Sequence, residues 1–83
     1  MNYLLNNYMS LLNKFFKLAA DAHRAYSEYY EVIKEHPGLI VCKALIPDRP
    51  YMKESRRICD PSELAECREI SRDEFLEAFI RTV

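Results

Sequence analysis

Arg49, Lys53, Arg56 and Arg57 form the densest concentration of basic side chains in the sequence, opposed nearby by Asp48 and Glu54. Guanidinium and ammonium groups make charge-assisted hydrogen bonds to phosphate and carboxylate oxygens, so this segment can grip an anion or an acidic partner. The same charges also suit a solvated hairpin edge, where they discourage strand pairing between molecules.

His23, His36, Cys42, Cys59 and Cys67 supply zinc-type ligands, but no pair has the Cys-x-x-Cys or His-x-x-x-His spacing that prebuilds half a site. No metal site is expected. Cys42, in an apolar run, reads as a small core hydrophobe. A Cys and His nucleophile pair exists on inventory alone, yet nothing around the cysteines argues for a lowered thiol pKa. Glu63, Glu66 and Glu69 read as helix-surface charges rather than an acid and base pair. Gly38 is the single glycine. Loops that cradle phosphates need several, which excludes a P-loop and a dinucleotide fingerprint. Neither catalysis nor a cofactor is expected.

Six tyrosines are more distinctive, with Tyr26, Tyr29 and Tyr30 gathered close together. Tyrosine serves both cores and interfaces, because its ring is apolar and its hydroxyl polar.

The elements that must position these residues follow from pattern. Written as heptads, Tyr8, Phe15, Ala22 and Tyr29 fall at one seam position and Leu4, Leu11, Leu18, Ala25 and Val32 at the other. Leu5, Leu12, Ala19, Tyr26 and Ile33 widen the apolar arc, which predicts one long amphipathic helix from about Asn2 to Glu35. Pro37 and Gly38 end it. Leu39 to Ile46 reads as a buried strand, Pro47-Asp48-Arg49-Pro50 as a turn, and Tyr51 to Cys59 as a second, more exposed strand. Asp60, Pro61 and Glu63 signal a short helix over Pro61 to Glu66, after which Cys67 to Ile70 is extended. Ser71 and Glu74 form a capping box, with Ile70 placed to staple onto Phe75, so a final helix starts at Arg72 and buries Phe75, Leu76, Phe79, Ile80 and Val83. The fold class expected is α+β and predominantly helical. One domain covers residues 1–83, with the long helix in 1–36 and a compact unit in 37–83 packed on it.

The chain has 83 residues, 49% of them hydrophobic, and a formal charge of -1. That balance argues against disorder and against a broad nucleic-acid-binding face. No run is apolar and long enough to span a bilayer, no signal peptide is evident, and three cysteines without a secretory signal fit free thiols in a reducing compartment. A soluble, cytoplasmic protein without membrane contact is expected.

A helix of about 34 residues would extend about 50 Å, beyond a compact domain about 30 Å across. Part of its apolar face would therefore need a partner. This predicts a homo-oligomer in which long helices pair antiparallel about a two-fold axis near Ala22, through Phe15, Leu18, Ala22, Ala25 and Tyr29. The function expected is that of a non-enzymatic, self-associating binding protein, acting on a macromolecular partner as adaptor, inhibitor or regulator. An oligomeric binder of a nucleotide-like anion, using the basic segment 49–57, is the alternative. Local nucleic-acid binding through the same segment is the third.

Overall fold

The structure, a computed structural model, describes residues 10–48 and 55–82. Among them the chain forms β1 (Phe15–Leu18), β2 (Glu28–His36), β3 (Leu39–Leu45), β4 (Ser55–Cys59), a 3-10 helix (Pro61–Glu66), β5 (Arg68–Ile70) and α1 (Arg72–Thr82). The strands make one sheet in the order β4-β3-β2-β1-β5, with every neighbouring pair antiparallel.

The long helix expected over Asn2 to Glu35 is therefore corrected. From Ser10 onward that segment is two strands and their connection, and the molecule is mainly sheet rather than predominantly helical. The cause lies in burial on both faces. Tyr29 and Tyr30 are adjacent and both buried, as are Ala44 and Leu45. A strand covered on both sides loses the alternation of a half-exposed one, and its consecutive apolar residues imitate a wide helical arc. Local backbone also breaks the helix. Asn13 sits at φ 67°, in the left-handed region that asparagine tolerates better than most residues, and its N–H bonds the Val32 carbonyl at 2.9 Å. Asp21 and Arg24 pair across a turn through two backbone hydrogen bonds, so the alanines between Leu18 and Tyr26 belong to a strand connection.

Pro37-Gly38 stands not at the end of a helix but at the tip of the β2–β3 hairpin. Gly38 has φ +78°, which tight hairpin turns demand and which a side chain would strain. Downstream the sequence signals hold more closely. The expected strand from Leu39 ends one residue early, and the second strand is Ser55–Cys59. Tyr51 to Glu54, Arg49 and Pro50 lie outside the described residues.

Residues directly opposite each other across strands share a face of the sheet. Register thus gives one face the rows Phe16–Tyr30–Ala44 and Val32–Cys42–Arg57, with Ile40–Cys59 beyond a bulge at Ile33. Here Leu64 of the 3-10 helix closes over Phe16, Tyr30, Val32, Ile40, Cys42, Ala44 and Cys59. The other face carries Lys17–Tyr29–Leu45 and Ile70–Phe15–Glu31–Lys43–Arg56. There α1 covers Tyr29, Leu45 and Ile70 with Phe75 and Ala78, and the Phe15 and Phe75 ring centroids are 5.0 Å apart. The core is two apolar layers sharing one sheet.

Both helix starts use the residues expected of them. Asp60 accepts from the Ser62 N–H at 2.9 Å while Glu63 accepts from the Asp60 N–H at 3.1 Å, a complete capping box. Ser71 accepts from the Glu74 N–H at 3.1 Å, but the Glu74 carboxylate turns to Arg68, so the reciprocal bond is replaced by an ion pair. Ser71→Ala is expected to lower stability by about 1 kcal/mol. The Ser62 N–H holds the Asp60 carboxyl below its usual pKa. A depressed pKa favours folding while the group is ionised, so the contribution of Asp60 is present above the ordinary carboxylate range and is lost as pH falls through it. Acid titration of urea stability should show a shallower fall in Asp60→Asn than in the parent. Superimposable curves would remove the cap from the account.

Candidate functional site

The two arginines that the sequence groups together are separated by the strand that carries them. Arg56 and Arg57 are consecutive in β4, and successive side chains of a strand point to opposite faces. They therefore enter two different environments.

Arg57 joins the face under the 3-10 helix. One guanidinium nitrogen donates to the Tyr30 hydroxyl at 3.1 Å and lies 3.7 Å from Glu28, and the other stands 3.5 Å from Glu63. The guanidinium also lies over the Tyr30 ring, 5.6 Å from its centroid. The Tyr30 hydroxyl in turn donates to the Glu28 carboxylate. Burial first, and then that hydrogen bond, hold the Tyr30 phenol well above its usual pKa. Beside this network is a cleft of about 190 Å³ lined by Leu18, Tyr30, Arg57, Cys59, Glu63, Leu64, Glu66 and Cys67.

This cleft gathers a phenol, a guanidinium, two carboxylates and two thiols. Arg57 is neutralised by Glu28 and Glu63 and ties β4 to β2 and to the 3-10 helix. Two thiols of this face, Cys42 and Cys67, are held protonated. Burial and then Cys59 push Cys42 up to about 12, while burial and then Glu66 raise Cys67. A protonated thiol is neither a good nucleophile nor a metal ligand, and no group of metal-ligating side chains converges among the described residues.

Arg56 enters the opposite face, on the part of the sheet that α1 leaves open. It stands across from Lys43, which stands across from Glu31. The next row is Lys34–Val41–Ile58, followed by His36–Leu39. Ile58 is 71% exposed and Leu39 48%. Among the described residues, Lys34, Lys43 and Arg56 have no ion-pair partner. The open face thus combines exposed aliphatic side chains with three unpaired cations and one carboxylate, Glu31. The 3-10 side holds Glu28, Glu35, Glu63 and Glu66 around Arg57 and Ile40. A net charge near zero conceals this sorting by face.

The remaining site residues fall apart in the same way. Phe15 and Tyr29 lie beneath α1, Leu18 lines the cleft on the opposite face, and Ala22 and Ala25 are exposed in the β1–β2 connection. The helical surface that would have joined them about a two-fold axis does not exist. Arg49 and Lys53 lie outside the described residues. Lys43, Val41 and Ile58 share this face with Arg56, which the basic run alone does not announce. The available signal was the strand pattern itself, since Lys43 interrupts an otherwise apolar run and Arg56-Arg57 must diverge on any strand.

No helix among the described residues is long and apolar enough to cross a membrane. Comparison with protein-family models, curated proteins and solved structures finds no match.

Proposed function

We propose that this is a non-enzymatic binding protein that docks an acidic segment of a partner protein on the open face of its sheet, acting as an adaptor, inhibitor or regulator. The observation that carries this reading is the pair Lys43 and Arg56. They stand directly opposite each other, neither of them in an ion pair among the described residues and with Glu31 across from Lys43 alone, beside exposed Ile58. Like charges in that position cost stability in the free protein, and an acidic partner turns the cost into binding. An apolar centre with charges at its margin is also the usual anatomy of a protein interface.

The nucleotide-like alternative, which uses the basic segment 49–57, is the weaker one, because Arg56 and Arg57 point to opposite faces of β4. Nucleic acid is the weaker reading because, among the described residues, no exposed Phe, Tyr or Trp stands beside Lys43 and Arg56 to stack a base. A reducing, cytoplasmic setting suits the three free cysteines.

Fluorescence anisotropy with amphipathic peptides rich in glutamate and leucine, and with oligonucleotides of matched charge, tests the proposal. The peptides should bind more tightly than the oligonucleotides and weaken with added salt. In the Lys43→Glu, Arg56→Glu double variant, peptide affinity should fall about a hundredfold, or roughly tenfold per reversed charge. Equal peptide affinity in variant and parent would overturn the assignment, and preferential binding of the oligonucleotides would move it to nucleic acid.

A further inference from the structure

We infer that the acidic partner binds as an extended strand added to the outer edge of β4, with a carboxylate opposite Arg56 and an aliphatic side chain opposite Ile58. This deepens the reading of the open face and rests on it. β4 ends the sheet order, so among the described residues its outer backbone groups are not used by another strand. Such an edge is a template for a further strand.

The rows that end at β4 specify what that strand should carry. Across β2, β3 and β4, one row reads Glu31, Lys43, Arg56, so an anion flanks the cationic pair on one side only. A carboxylate on a sixth strand, beside Arg56, would flank the other side. The neighbouring row reads Lys34, Val41, Ile58 and ends on the most exposed large aliphatic side chain among the described residues, which an aliphatic neighbour would cover. Since Arg56 and Ile58 are two apart on one face, the incoming strand needs an acidic and an aliphatic residue two apart on its own.

A second copy of β4 fits poorly. Antiparallel pairing centred on Arg57 would set that arginine against its own copy, and no carboxylate of β4 would meet Arg56. In that register the edge does not suit its own copy, whereas it suits an acidic strand. Arg57 does not compete for that strand's carboxylates, because Glu28 and Glu63 already neutralise it on the other face.

The test uses a peptide of about nine residues, the length of an ordinary strand, with glutamate and isoleucine alternating on one face and threonine on the other. Two further versions carry N-methyl groups on alternate amides, one on each edge of the strand. Strand addition requires that one N-methylated version lose about tenfold or more in affinity while the other binds like the parent peptide, since only one edge faces β4. A peptide with lysine for glutamate should recover affinity for Arg56→Glu, and circular dichroism of that variant checks that it stays folded. Equal binding by both N-methylated versions would overturn strand addition yet leave the open face as the docking site. Failure of the unmethylated peptide, while the amphipathic peptides of the preceding section still bind, would overturn strand addition alone. Failure of both peptide sets would remove the docking face as well.

Discussion

Replacing Ile40 with alanine is expected to lower the stability of the protein by about 2–5 kcal/mol. Ile40 has no exposed surface and lies in β3, between β2 and β4, where it packs in the cluster closed by Leu64. Truncation removes three carbons from water-free packing. The backbone on either side is fixed in the sheet ladder, so the surroundings have little freedom to collapse into the space. A domain of this size has only a few kcal/mol in hand, so the variant should be substantially unfolded near physiological temperature. Leu39→Ala supplies the contrast. Leu39 is the preceding residue, points to the opposite face and is 48% exposed, so its truncation should change stability by only about 0.5 kcal/mol. Urea midpoints compared at constant slope would measure both. Similar losses at the two positions would mean that β3 is shifted by one residue, because such a slip exchanges the faces of every side chain.

The second half of the sequence was far more legible than the first, and the difference has a physical origin. Pro61 to Glu66 and the start at Arg72 were readable because capping is local chemistry. A carboxylate or hydroxyl must meet an unpaired N–H within three residues, and Asp60, Glu63, Ser71 and Glu74 stand where that geometry needs them. The Leu39 strand was readable because it is short and bounded by Gly38 and Pro47. Residues 10–36 were not: β1 pairs with strands well along the chain, and the hairpin turn at Pro37-Gly38 reads equally as a helix end. Phe16 meets Tyr30 and Phe15 meets Ile70, and no local signal announces a partner as far along the chain as Ile70. The heptad pattern counted apolar residues correctly but gave them the wrong period, because two covering layers bury consecutive positions.

The site was legible only in part for a related reason. Composition located the basic segment, and Arg56 does lie on the open face. Lys43 belongs beside it only once β3 and β4 are paired in register. The separation of Arg56 from Arg57 required no structure, only the assignment of a strand. Treating the four basic residues as one patch ignored that alternation. The network of Glu28, Tyr30 and Arg57 joins residues 27 positions apart in its longest hydrogen bond, and it was beyond reach of any motif.

Phe75→Ala is expected to cost about 3–5 kcal/mol, whereas Ile80→Ala should leave stability within about 0.5 kcal/mol of the parent. The sequence places both on the buried face of the last helix. The structure separates them: Phe75 is 3% exposed and rests on Phe15, Tyr29, Leu45 and Ile70, while Ile80 is 65% exposed. The helix meets the sheet through Phe75 and Ala78, with Phe79 half-buried at the margin, so a narrow stripe carries the docking. A helix of eleven residues has little stability of its own in water. It persists because that stripe is buried, and loss of the Phe75 ring should release it. Far-ultraviolet circular dichroism of Phe75→Ala should therefore lose helical signal at lower urea than the parent. Its loss should come together with the sheet if the two layers are one cooperative unit, and ahead of it if they are not. Either order agrees with the packing described. An Ile80→Ala variant as unstable as Phe75→Ala would not, since it would require α1 to be rotated about its axis with Ile80 against the sheet.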